Sequence, residues 1–257
     1  MSPEPPPAHA LLADKVVVVT AAAGTGIGFA TAKRCIEEGA TVVVSDHHER
    51  RLGEAVEQLG AIGGIVPLSV RCDVRRDDEV TRLIDDAVEA HGRIDVMVNN
   101  AGLGGTANLV DMTDEEWDSV LDVTLNGTFR CTRAALNHMY ERGHGVIVNN
   151  ASVIGWRAQA GQAHYAAAKA GVMALTRCAA LEAAPHGVRV NAVAPSLAMH
   201  PFLSKTTTDE LLAELTQREA FGRAAEPWEI ANVIVFLASD YSSYMTGEVV
   251  SVSSQHP

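Results

Sequence analysis

The sequence predicts an α/β protein, a single domain built on one doubly wound sheet of seven mostly parallel strands with helices on both faces. Apolar strand-like runs alternate with helix-like segments from residue 15 to residue 252, which is a βαβ pattern. The first two runs are nearly continuous valine, as strands buried on both faces require. A glycine-rich turn directly after the first strand opens a helix.

The expected strands lie at 16–19, 41–44, 65–70, 94–98, 146–148, 188–193 and 249–252. One intervening helix shows why the segments between them are helical. Val80, Leu83, Ile84, Ala87 and Val88 fall on one face, Asp77 to Glu79 load the first turn with negative charge, and Gly92 follows the end. Gly39 and Gly187 stand in the same place before their own strands. Three prolines at 5–7 cannot join a helix or a central strand, so residues 1–12 are expected to form a flexible tail and residues 13–257 the domain. The alternation breaks at 196–222, an insertion with one expected helix over 209–219, which suits a substrate lid.

Composition narrows the function. The 257 residues are 47% hydrophobic and 20% charged, enough for one large core. Twenty basic side chains against 32 acidic ones give a net charge of −12, which argues against nucleic acid or an anionic membrane as the main partner and for a small molecule. No apolar run approaches a membrane span, and the N-terminus lacks a signal-peptide pattern, so a cytoplasmic location is expected. Cys35, Cys72, Cys131 and Cys178 stand apart with no CxxC pair, which suggests reduced thiols and no metal site.

Thr20 to Gly28 reads TAAAGTGIG between the first strand and a helix. Gly24, Gly26 and Gly28 let the backbone approach a pyrophosphate, and the helix N-terminus offers it unpaired N–H groups and a positive dipole. Thr20, Ala22, Thr25 and Ile27 complete this candidate cradle. Asp46 ends the second strand, eighteen residues past Gly28, where a carboxylate accepts the adenosine ribose hydroxyls and repels a 2′-phosphate. NAD(H) is therefore favoured. His47, His48, Arg50 and Arg51 lie close enough in sequence to offset that repulsion, which leaves NADP(H) open. Asp73 and Val74 follow the third strand and suit the adenine edge; Asn100, Ala101 and Gly102 end the fourth, beside the crevice where a dinucleotide lies.

Tyr165 and Lys169 are spaced i, i+4 on an alanine-rich segment, so a phenol and an ammonium share one helix face. A phenol titrates near ~10 unless perturbed, and a neighbouring cation is expected to lower that value toward acid–base use at neutral pH. Ser152 ends the fifth strand thirteen residues earlier, where its hydroxyl can hold a substrate oxygen.

Together these segments resemble the short-chain dehydrogenase/reductase family over residues 13–252. The resemblance rests on the strand, glycine loop and first helix, Asp73, NNAG at 99–102, Ser152, the YxxxK of Tyr165 and Lys169, and VNAVAP at 190–195. It implies a Rossmann-type fold and an NAD(P)(H)-dependent exchange between a ketone and a secondary alcohol. Tyr165 would act as general acid/base, Lys169 would tune it and hold the nicotinamide ribose, and Ser152 would orient the carbonyl. It also implies a homotetramer or homodimer in which the helices carrying Ala166, Ala167, Ala168, Ala170, Gly171 and Ala174 pair.

Several positions depart from the family pattern. The glycine loop is one residue longer and has alanines where its first glycine belongs. Thr124 stands where an asparagine normally serves a proton relay and is expected to keep a weaker, water-mediated one, while Asn126 lies two residues on, facing another way. PGxxxT becomes Pro195, Ser196 and onward to His200, which replaces a threonine that bonds the nicotinamide carboxamide. Leu103, Trp156, Met199, Phe202 and Leu203 are the expected apolar substrate pocket. Alternatives within the ketone–alcohol reading are a 3-oxoacyl thioester of acyl carrier protein or coenzyme A, and a bulky alicyclic or steroid-derived ketone. A nucleotide-binding sensor without catalysis is the alternative outside it.

Overall fold

A computed structural model describes residues 3–64, 66–199 and 209–254. The seven strands are β1 (Val16–Val19), β2 (Thr41–Asp46), β3 (Leu68–Arg71), β4 (Val96–Asn99), β5 (Gly145–Asn150), β6 (Val188–Pro195) and β7 (Val249–Val252). They form one sheet in the order β3-β2-β1-β4-β5-β6-β7, parallel at every pairing. The order reverses between β1 and β4, and the carboxyl ends of those two strands flank the crevice where such sheets bind ligands. Ile65, the expected start of the third strand, lies outside the described residues.

The valine runs alternate between two cores. Val17 and Val19 face α1 (Ile27–Glu37) and α8 (Pro227–Ala238), packing with Ala32, Cys35, Ile230, Ile234 and Leu237. Val18, Met97 and Ile147 face α3 (Asp77–His91) and α5 (Gly127–Arg142), against Val80, Leu83, Ile84, Cys131 and Met139. Burial on both faces is why these strands carry almost no polar residue. The remaining helices are α2 (Glu49–Gly63), α4 (Asp114–Leu121), α6 (Ala163–Ala183) and α7 (Asp209–Gln217). Helix α3 ends as expected, with Gly92 left-handed at φ +76°. Gly187 is fixed more tightly: beyond its φ of +70°, a Cβ there would stand 2.4 Å from the Gly143 carbonyl oxygen. No helix among the described residues is long and apolar enough to cross a membrane.

The segment expected to be a flexible tail has no regular secondary structure, but its described part is tied to α1. The backbone N–H groups of His9 and Leu11 donate to Glu38 Oε2 at 2.9 and 3.0 Å, and Arg34 donates to the Pro6 and Pro7 carbonyls. Arg34 also meets Glu38 Oε1 at 2.6 Å, and both side chains are buried. Prolines give this segment no ladder, so side chains from α1 and its C-terminus satisfy it instead. Burial alone would raise the Glu38 pKa; the Leu11 and His9 N–H groups and the Arg34 guanidinium outweigh burial and hold it below the ordinary value. Glu38→Gln is expected to lower unfolding stability by about 3 kcal/mol at pH 7, because it strands the Arg34 charge. That deficit is full above the unfolded-chain pKa of about 4.3 and disappears as pH falls through the depressed folded value, which urea unfolding at a series of pH values measures.

Candidate active site

The glycine loop leaves β1 through Ala21, a non-glycine residue at φ +50°, and turns again at Gly24, φ +92°. Alanine thus stands in the left-handed conformation that favours glycine. Gly28 sits where α1 crosses the loop: a Cβ would lie 2.2 Å from the Ala21 oxygen and 2.4 Å from Asn100 Nδ2. Around Gly26, by contrast, a Cβ would meet nothing within 4 Å, and this N-cap of α1 carries no side-chain cap bond. An open helix N-terminus is an anion site, so Gly24, Thr25, Gly26 and Ile27 fit a dinucleotide pyrophosphate. Asp46 is nearly buried at the end of β2 and accepts from the His48 N–H at 2.9 Å. Burial raises its pKa, against the opposing effects of His47, Arg51 and the Ala23 and His47 N–H groups.

Two strand ends are stitched to the loop by amides. Thr20 Oγ1 accepts from the N–H groups of Asn100 and Ala101 at 3.0 and 3.1 Å, so this expected phosphate residue is spent inward on the NNAG turn. Asn100 Nδ2 donates to the Thr20 and Ala21 carbonyls, and Asn150 Nδ2 donates to Asn100 Oδ1 at 3.0 Å. Below them, Asn99 reaches Asn149 at 2.8 Å, and Asn149 reaches Thr176 on α6 at 2.9 Å. The motif NNA recurs at 99–101 and 149–151, and that repetition is the sequence signal for the pairing, since the two strands lie in register, Asn99 against Asn149. Asp73 is held by Arg75 at 2.6 Å, which keeps its carboxyl below the ordinary range, and Val74 beside it is buried.

The same network holds Lys169 beside Tyr165. Lys169 Nζ donates to the Asn150 carbonyl at 2.5 Å and lies 5.6 Å from the centre of the Tyr165 ring. A short 3₁₀ turn, Val153–Gly155, brings Ser152 against α6; a Cβ on Gly155 would stand 2.9 Å from the Ala170 nitrogen, so only glycine permits the approach. Ser152 Oγ also lies 3.4 Å from the Pro195 carbonyl, and the Ser196 N–H bonds Val252. Burial pushes the Tyr165 phenol up to about 12, partly offset by a hydrogen bond from Ser152, and burial pulls Lys169 down to about 8. The expected lowering of the phenol by its cation is therefore reversed: desolvation dominates both groups.

Thr124 lies in a π-helical turn, Asp122–Asn126, between α4 and α5. Its buried hydroxyl accepts from the Leu103 N–H at 2.9 Å and donates its one proton to the Leu103 carbonyl at 3.1 Å. That pair commits the hydroxyl's one proton and one of its lone pairs, so the expected water relay would meet Thr124 only as an acceptor, through the second lone pair. Asn126 does not take over: it is exposed and donates to Asp122. Of the expected pocket, Leu103 lines a cavity of about 380 Å³ with Gly104 to Ala107, Val120 and His164. Trp156 and Met199 are exposed, and His200, Phe202 and Leu203 lie outside the described residues. Sequence reasoning passed over His164 and over Gln162, whose Nε2 donates to the Gly105 carbonyl at 2.8 Å.

A family model described as enoyl-(acyl carrier protein) reductase matches residues 21–254. The crystal structure of a short chain dehydrogenase from Mycobacterium smegmatis superposes with a TM-score of 0.89 at 59% identity, covering 100% of this chain and 99% of that one. The chain belongs to the short-chain dehydrogenase/reductase family. A Mycobacterium tuberculosis relative is 65% identical over 250 residues, 97% of this chain and 95% of that protein. It is named (5R,7aS)-5-hydroxy-7a-methyl-1-oxo-2,3,5,6,7,7a-hexahydro-1H-indene-carboxyl-CoA reductase. The crystal structure of levodione reductase matches with a TM-score of 0.90 at 34% identity over 95% of this chain and 97% of that one. As a short-chain dehydrogenase/reductase the chain is an NAD(P)-dependent oxidoreductase interconverting a ketone and an alcohol, and the reading as a sensor without catalysis is not favoured.

The strained loop offers a check. Ala21→Gly is expected to raise stability by about 0.5 to 1 kcal/mol, the relief of a left-handed alanine less the added chain entropy, and to leave nucleotide binding intact. Urea unfolding beside a nucleotide titration measures both.

Proposed function

We propose that this chain reduces a ketone on a bulky alicyclic ring, with NADH as the preferred cofactor and Tyr165 as the proton donor. The observation that carries the proposal is geometric: the Tyr165 ring lies 5.6 Å from Lys169 Nζ and is hydrogen-bonded by Ser152, and the residue before it, His164, lines a cavity of about 380 Å³. The name of the 65% identical relative, a reductase of a bicyclic hydroxy-ketone thioester, supports the substrate class. When bound, the nicotinamide supplies the hydride. Tyr165 Oη gives its proton to the oxygen that gains charge, and the Ser152 hydroxyl holds that oxygen in place. Lys169 Nζ, anchored on the Asn150 carbonyl, steadies the phenolate left behind, and its lowered pKa suits it to pass a proton on. Asp46 supports NADH, since a 2′-phosphate beside a nearly buried carboxylate would be repelled.

A thioester of acyl carrier protein fits less well. In the expected lid Arg218 pairs with Glu214, and just after it Arg223 pairs with Glu229, so both arginines are already neutralised. The same reading carries a cytoplasmic homotetramer or homodimer. Ala167 and Ala174 are exposed small residues on α6 that support a close second helix, whereas Ala168 is buried and Gly171 already receives the Leu125 side chain.

Tyr165→Phe is expected to lower ketone reduction roughly a thousandfold while nucleotide affinity stays near wild type, with NADH bound more tightly than NADPH. Steady-state assays with bicyclic ketones and a fluorescence titration test this, and undiminished turnover would refute the assignment. Lys169→Met is expected to lose turnover yet melt higher than wild type at pH 7, because it removes an unpaired buried ammonium. The wild-type lysine titrates near 8 when folded and about 10.4 when unfolded, so wild-type stability rises between those values and the variant's advantage shrinks there. Thermal melts from pH 7 to pH 10 read the crossover.

A further inference from the structure

His164 directly precedes Tyr165 on α6, yet nothing in the proton chemistry uses it. It is 2% exposed, and its Nδ1 accepts the Tyr165 backbone N–H at 2.9 Å. A ring nitrogen that accepts carries no proton, so the neutral imidazole has its hydrogen on Nε2. Nε2 has no hydrogen-bond partner among the described residues. The ring is covered, but Nε2 itself opens onto the cavity, so a ligand oxygen takes the place of water there.

The cavity beside it provides room for that ligand. Its volume of about 380 Å³ lies in the range of small-molecule sites, roughly 300 to 1,000 Å³. One wall is the loop after β4, and the same loop passes beside the ring of Tyr165. A Cβ on Gly104 would lie 3.9 Å from the Tyr165 ring, and one on Gly105 would lie 3.1 Å from His164 Nε2. The two neighbouring side chains of α6 therefore look onto consecutive residues of one loop. At the rim stand Glu115 and Glu116, both exposed, which disfavours a phosphate or carboxylate entering here. What fits is the neutral end of a substrate.

We infer that His164 Nε2–H is a second polar anchor for the substrate, donating to a ring oxygen remote from the carbonyl being reduced, and that it selects oxygenated ring systems over plain ones. This rests on the alicyclic reading above and deepens it. The anionic thioester arm lies away from the acidic rim, and the ring fills the space between Tyr165 and His164.

The test compares two probes, a methylhydrindanedione and the methylhydrindanone that lacks its second oxygen. Wild type is expected to favour the dione about tenfold in kcat/KM, the worth of one hydrogen bond to a buried donor. His164→Leu is expected to erase that preference through KM of the dione, leaving the monoketone near wild type. His164→Gln, whose amide nitrogen reaches the position of Nε2, is expected to restore it. Gly105→Ala sets a methyl against Nε2 and is expected to act as His164→Leu does, with the sequence of α6 unchanged. If both ketones weaken in parallel in these variants, or wild type shows no preference, His164 is only a helix-end structural residue and the inference is overturned while ketone reduction stands. If wild type reduces neither probe, the alicyclic reading falls and takes the inference with it.

Discussion

The hydrogen-bonded seam where β1, β4 and β5 end is the constraint on which the rest depends. Thr20 clasps two N–H groups of the NNAG turn, Asn100 holds the loop carbonyls, and Asn150 joins Asn100 with its side chain while its carbonyl holds Lys169. One network thus fixes the glycine loop that fits a pyrophosphate and the ammonium that lies 5.6 Å from the phenol ring. Amides suit this place because Asn100 and Asn149 each donate and accept while Asn99 and Asn150 donate to them, so a few residues connect three strands without introducing charge. The glycines follow from the same closeness. Gly28 has no room for a methyl because the seam draws Ala21 and Asn100 against it.

Around the seam, burial sets the chemistry. It raises the phenol and lowers the lysine together, which keeps the first protonated and the second ready to release a proton. A lysine buried at 3% exposure, with a carbonyl and an aromatic ring but no carboxylate beside it among the described residues, is poor for stability. The opposite arrangement holds at the far end of the molecule, where Arg34 and Glu38 are buried as a pair and serve only to hold the chain's beginning in place.

Much of this was legible in the residues. Valine runs reported strands covered on both faces, the period of Val80, Leu83, Ile84 and Ala87 reported a helix face, and YxxxK reported a shared side of α6. What stayed hidden depends on contacts distant in sequence. Nothing near Thr124 announces that its hydroxyl closes on the Leu103 backbone 21 residues away, and proline content alone gives no hint that Glu38 reaches His9 and Leu11. Motif comparison marks Ala21 as a departure, but its left-handed backbone keeps the shape that glycine would have taken there. The effect of desolvation on Tyr165 was equally out of reach, because spacing reveals a neighbour and says little about how much water is excluded.

The loop after β4 is pinned at its two ends by side chains from other elements, Thr124 at Leu103 and Gln162 at Gly105 and Thr106. Its pins belong to neither the phenol nor the nucleotide cradle. Side chains on the middle of this short stretch are therefore free to vary in evolution while Thr124 and Gln162 hold its ends where they are.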